Sequence, residues 1–213
     1  MDYLLELFSG IFFQPRQTME RLAREQPLGS SVLLYLIIAL LNSVVSLAFW
    51  DPSRLGLPSN LSREFLNALP RFMSYGVILS LIFALFTFLI MGAVFHLVAE
   101  LMGGRGSVIS LLSALGFASL PSLLNVPVTV IVGFTGLPIG GLLTFLFAVW
   151  VIVLQVFAVQ AVYKLTTGKS VLVVLTPFIA LTIALIFALT FFFIIIGSDL
   201  MELAPIFNNF PTL

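Results

Sequence analysis

The chain has 213 residues, 61% of them apolar and 8% charged, and its mean hydropathy is +1.21. An ordinary water-soluble domain is about half apolar and about a quarter charged, so this chain lacks the charged surface that water demands and reads as an all-α polytopic membrane bundle. Nine basic residues balance nine acidic ones, which leaves no field for nucleic acid, and the absence of cysteine excludes disulfides and thiolate chemistry. With His96 as the single histidine, neither a metal site nor a cofactor is expected.

Residues 1–28 read as a cytosolic interfacial segment, not a span. Asp2 and Glu6 stand where the basic region of a signal peptide belongs, and Asp2 excludes myristoylation. Leu4, Leu5, Leu7, Phe8, Ile11 and Phe12 give Tyr3–Phe13 one apolar face, which predicts a short helix lying in the interface. After Pro15, the stretch Gln17–Gln26 sets Met19 and Leu22 among Glu20, Arg21, Arg24 and Glu25, a second short amphipathic helix closed by Pro27-Leu28-Gly29.

Residues 29–213 contain five apolar stretches, at about 30–49, 72–102, 107–133, 139–163 and 171–197. Asn42 is the strongest polar group of the first, and Trp50-Asp51-Pro52 closes it at an interface. The second is longer than a hydrocarbon core of about 30 Å needs, so it must tilt or project. Pro121 and Pro127 break the third. The fifth is entered through Pro177 and ends at Ser198-Asp199, followed by a short amphipathic tail.

With five spans the termini lie on opposite sides. One side holds six Lys and Arg (Arg16, Arg21, Arg24, Arg105, Lys164, Lys169), the other three (Arg54, Arg63, Arg71). The positive-inside rule therefore predicts a cell-membrane protein with a cytosolic N-terminus and an external C-terminus.

Polar residues within the spans define the candidate sites. Ser119, Ser122, Asn125 and Thr129 follow near-helical spacing in the third span, where Pro121 and Pro127 free backbone carbonyls. They line a polar cavity, as in the broken helices of transporters, or they bond to neighbouring helices across a kink. His96 and Glu100 share a face of the second span and form either a proton or cation site or a solvated pair at headgroup depth, with Arg105 as another partner for Glu100. Ser107, Ser110 and Ser113 open the third span as capping and helix-bonding residues. Ala180, Ala184 and Ala188 recur at the spacing that lets helices approach closely, within the chain or between copies. Gly136-Leu137-Pro138-Ile139-Gly140 reads as a turn. No metalloprotease, nucleophile-elbow or P-loop motif occurs, so an enzyme is not expected.

A pattern runs through much of the chain: Pro15-Arg16-Gln17-Thr18-Met19, then Phe95-His96-Leu97-Val98-Ala99-Glu100-Leu101-Met102-Gly103-Gly104-Arg105-Gly106-Ser107, then Ala114-Leu115-Gly116-Phe117-Ala118-Ser119-Leu120-Pro121, and later Trp150 and Gly168-Lys169-Ser170. It resembles the bacterial branch of the Yip family, the Ypt/Rab-interacting membrane proteins. The resemblance implies five spans, a cytosolic N-terminus and a prokaryotic source. Eukaryotic members act in vesicle traffic and bind prenylated Rab GTPases through an Asp-Leu-x-Gly-Pro motif and a long N-terminal region. This sequence carries neither, so no Rab GTPase-binding residue carries over.

Two functions follow as expectations. The first is a non-enzymatic scaffold acting on membrane lipids or on protein partners, a second copy included. The alternative is a permease or channel for a small solute or ion, built on the broken third span.

Overall fold

The computed structural model describes residues 2–50 and 63–208; of the first loop expected at 51–71, positions 51–62 lie outside the described residues, as does the chain from 209, while the rest of that stretch is helical. The described residues form eight α-helices: α1 (Asp2–Phe13), α2 (Pro15–Glu25), α3 (Leu28–Ala48), α4 (Arg63–Leu101), α5 (Val108–Ala118), α6 (Asn125–Thr135), α7 (Gly140–Tyr163) and α8 (Thr167–Asn208), with a 3-10 helix at Leu120–Leu124 between α5 and α6. No strand occurs among the described residues. Among the described residues, five helical stretches are long and apolar enough to cross a membrane: Leu28–Ala48, Arg71–Leu101, Val108–Thr135, Gly140–Tyr163 and Thr167–Ile196.

The chain divides into two units, residues 1–174 and 175–213. In the first, α5 is the centre, and every residue from Ser110 to Pro121 is buried. Its sequence explains the position: Ser110, Ser113, Ala114, Gly116, Ala118 and Ser119 keep it thin, so α2, α3, α4 and α7 all reach it. The contact with α3 is closest at Gly116, where a Cβ would collide with the hydroxyl and carbonyl of Ser31. Ser31 Oγ donates to the Leu112 carbonyl at 2.8 Å and fixes the register of the two helices. The second unit is the remainder of α8, whose side chains from Phe178 to Ile196 are all exposed.

The N-terminal helices spend their apolar faces differently from the sequence expectation. Leu7, Ile11, Met19 and Leu22 are buried in protein. Amphipathicity marks a face that leaves water, and here α2 lays that face on α5 and α7 while α1 packs on α2. Phe8 and Phe13 stay exposed. Helix bounds differ as well. α4 begins at Arg63, ahead of Phe72, and α8 continues past Gly197 to Asn208, because Ser198 and Asp199 retain their backbone donors and do not stop a helix.

Gly116→Val should push α3 off α5 and cost about 1–3 kcal/mol, read as a lower unfolding midpoint in detergent. Gly76→Ala, at a helical position with no neighbour within 4 Å, should be neutral or stabilising. Equal midpoints for wild type and Gly116→Val would refute the close contact.

Candidate functional site

The third span is broken as its prolines require. α5 ends at Ala118, the 3-10 helix carries Pro121 in its first turn, and α6 starts at Asn125 with Pro127 in its first turn. Both prolines thus sit where a missing N–H costs least, because first-turn amides have no intrahelical acceptor. Ser119 Oγ donates back to the Gly116 carbonyl at 2.6 Å. The Ser122 carbonyl accepts from Asn42 Nδ2 on α3 at 3.2 Å, and the same amide donates to Ile38 at 2.9 Å.

A cavity of about 280 Å³ opens beside this break, at mid-length of the spans. Ser119 and Ser122 line it together with Tyr35 of α3, Thr87 of α4 and Gln155 of α7, and Phe88, Phe95 and Val151 supply apolar wall. No charged residue lines it. The side chains of Thr87 and Gln155 have no hydrogen-bond partner among the described residues. Asn125 and Thr129 do not line this cavity; Asn125 Oδ1 is buried without a partner, and Thr129 is half-buried. Tyr35, Thr87 and Gln155 escaped the sequence reading because each is brought in from a different span, so no spacing along one helix links them.

His96 and Glu100 lie in the last turns of α4, away from that cavity's lining. His96 Nδ1 is 2.5 Å from the Tyr163 hydroxyl and Nε2 is 3.5 Å from Glu100 Oε1. The ring thus sits between the Tyr163 hydroxyl and the Glu100 carboxylate. Glu100 therefore meets His96 rather than Arg105. The glycine loop holds Tyr163 in place. Gly103, at φ +87, closes α4 in a Schellman turn, in which its own N–H donates to Glu100 and that of Gly104 to Ala99, both at 2.9 Å. Gly104 and Gly106 lie flat against Tyr163, with no room for a Cβ. Lys169 Nζ donates to the Met102 carbonyl at 2.9 Å.

Ser107 caps α5 by accepting from the Ile109 N–H, Ser110 Oγ accepts from Gln26 Nε2 at 2.8 Å, and Ser113 Oγ is buried without a partner. These contacts, with the packing of α2 on α5 and α7, gather Arg16, Arg21, Arg24, Arg105, Lys164 and Lys169 at one end of the first unit. Arg21 bridges the N-terminal helices, donating to Glu25 at 2.7 Å and to Glu6 at 2.8 Å. Those two carboxylates raise its pKa above the ordinary guanidinium value. Ala180, Ala184 and Ala188 are exposed, and Gly136, at φ +67, ends α6 in the expected turn. Among the described residues no cluster of three or more metal-ligating side chains occurs.

Among the described residues, five helical stretches long and apolar enough to cross a membrane mark an integral membrane protein. The family model for the Yip1 domain matches residues 9–190, and the chain belongs to that family. Comparison with the curated proteins and with the solved structures found no match.

Asn42→Leu should cost about 1–3 kcal/mol, because it strips the Ser122 carbonyl of its side-chain donor in a setting without water. Asn125→Leu should cost less or stabilise, because Oδ1 has no partner to lose. Thermal unfolding of the two variants in detergent checks the order; the reverse order would show that Asn125, not Asn42, supports the break.

Proposed function

We propose that this Yip1-family protein is a non-enzymatic scaffold of the cell membrane, in which α1 and α2 form a platform that engages lipids or protein partners at one membrane face. The observation that carries the reading is the docking of α2. Its apolar face is used up on α5 and α7, so the helix is held by the bundle and turns its charged side outward. A flexible arm would lose ordering entropy on each engagement, while a docked helix has already lost it. The six basic residues at the platform end support a cytosolic position for it, with the C-terminus external. The cationic rim suits an anionic leaflet surface, to which each such charge contributes about 1 kcal/mol.

A photo-crosslinker at Arg24, whose side chain is 78% exposed, should capture lipid or a neighbouring protein, whereas one at the buried Met19 should capture only this chain. Bulk-water quenching at Arg24 with no adduct would remove the platform reading. A reporter fused to the N-terminus should read as cytosolic and one fused after Leu213 as external. Both on one side would overturn the orientation.

The second reading is a permease for a small uncharged solute. It is favoured by the mid-length cavity, where Thr87 and Gln155 offer unpaired hydrogen-bonding groups beside a broken helix. Proteoliposomes separate the two. A permease passes glycerol or urea faster than protein-free vesicles and slows with Gln155→Leu; a scaffold gives protein-free rates with either chain.

A further inference from the structure

A second recess, of about 230 Å³, lies where α2 crosses the C-terminal end of α7. Its polar walls are Arg16 and Glu20 from α2 and Gln160 and Lys164 from α7, with Phe157 and Leu165 as apolar walls. Pockets that engulf drug-sized ligands measure about 300–1,000 Å³, so this one has room for a headgroup and not for acyl chains. It sits at the end of a span, at the depth where headgroups lie.

The chemistry of the walls is divided. Arg16 and Lys164 are exposed cations that pair with no carboxylate among the described residues. Lys164 is held there by an unusual backbone, φ 55, as the left-handed cap of α7, with its N–H donating to the Gln160 carbonyl at 3.0 Å. Opposite in character are Glu20 and Gln160. Glu20 touches one cation, Arg24, at 3.6 Å across an exposed helix turn. Gln160 is 9% exposed, its Nε2 donates to Thr167 Oγ1 at 2.7 Å, and its Oε1 is buried with no donor. A buried amide oxygen without a donor costs about 1–3 kcal/mol. A group that brings both an anion for Arg16 and Lys164 and an N–H or O–H donor for Gln160 Oε1 satisfies the whole recess.

We propose that this recess binds the headgroup of a phospholipid bearing a primary ammonium, of the phosphoethanolamine class. The phosphodiester lies against Arg16 and Lys164. The ammonium donates to Gln160 Oε1 and faces the Glu20 carboxylate, and the partial negative charge at the C-terminus of α7 adds to its attraction. The glycerol end rests on Phe157 and Leu165 and the acyl chains leave along the bundle. A quaternary ammonium has no N–H and leaves Oε1 unpaired, so choline headgroups are discriminated against. The site rests on the reading of α2 as a membrane-facing platform and names the lipid that platform selects.

The test uses the delipidated full-length protein and native mass spectrometry, with phosphatidylethanolamine, phosphatidylcholine and phosphatidylglycerol of identical acyl chains. The ethanolamine lipid should bind about tenfold or more tighter than the choline lipid. Arg16→Gln with Lys164→Gln should weaken it by about tenfold, and Gln160→Leu should bring it down to the choline level. Arg105→Gln, at the same end but outside the recess, should change nothing. Should Gln160→Leu fail to fold, the exposed Arg16→Gln alone still decides. Equal binding of ethanolamine and choline lipids overturns the site, and tighter binding of the glycerol lipid overturns the ammonium assignment. Free O-phosphoethanolamine binding more tightly than the lipid overturns a membrane source. Crosslinking at Arg24, outside the recess, reports on the platform separately, so adducts there with no headgroup preference sink this site and leave the scaffold standing.

Discussion

The break between α5 and α6 exists only because protein surrounds it. Hydrocarbon offers no donor to a carbonyl that its own helix has released, and each such group left bare in lipid costs several kcal/mol, roughly. A span that changes from α to 3-10 and back must therefore be the central one. The composition of α5 places it there: small side chains at Ser110, Ser113, Ala114, Gly116 and Ala118 let α3, α4 and α7 close around it, and burial is continuous from Ser110 to Pro121. Asn42 then reaches across from α3 to the Ser122 carbonyl. The irregular backbone, the thin helix and the polar residue on a neighbouring span are one arrangement.

That arrangement shapes the end of the bundle too. Because α5 is central, its first turn must be approached by a loop that lies close, and Gly103-Gly104-Arg105-Gly106-Ser107 is that loop. It turns back at Gly103, passes flat over Tyr163 and caps α5 with Ser107. Tyr163 is thereby pinned at the end of α7 and its hydroxyl meets His96. α2 covers the same end, with Gln26 bonded to Ser110. The α2 end, through Gln26, and the glycine loop are thus both anchored to the start of the central helix.

The spans were legible in the sequence because hydropathy and length alone decide whether a helix can cross a membrane, and their bounds shifted only where the helix runs on into polar residues, as at Arg63 and Ser198. The break was legible too, since proline removes a donor wherever it stands. What periodicity could not supply was the partner. A one-sided helix such as Gln17–Gln26 says that Met19 and Leu22 leave water, not whether lipid or protein receives them, and here protein does. The polar stripe of the third span was read along one helix, so Ser119 and Ser122 were found while Tyr35, Thr87 and Gln155, contributed across helices, were not. Asn125 continues the stripe by spacing, but the 3-10 turn resets the helical phase after Leu124 and carries it away from the cavity lining.

The distribution of unsatisfied groups adds a last step. Among the described residues, the buried side-chain atoms without partners are Ser113 Oγ on α5, Asn125 Oδ1 on α6, and Trp150 Nε1 and Gln160 Oε1 on α7. Native folds leave few such atoms, each costing about 1–3 kcal/mol. All four fall on the central span and the helix that follows it; both wall the mid-length cavity, and α7 also walls the recess under α2. Among the described residues, α3 and α4 contribute none of them. A bound molecule gains most where it supplies missing partners, and of these four residues Gln160 alone lines either of the two cavities, the recess between α2 and α7.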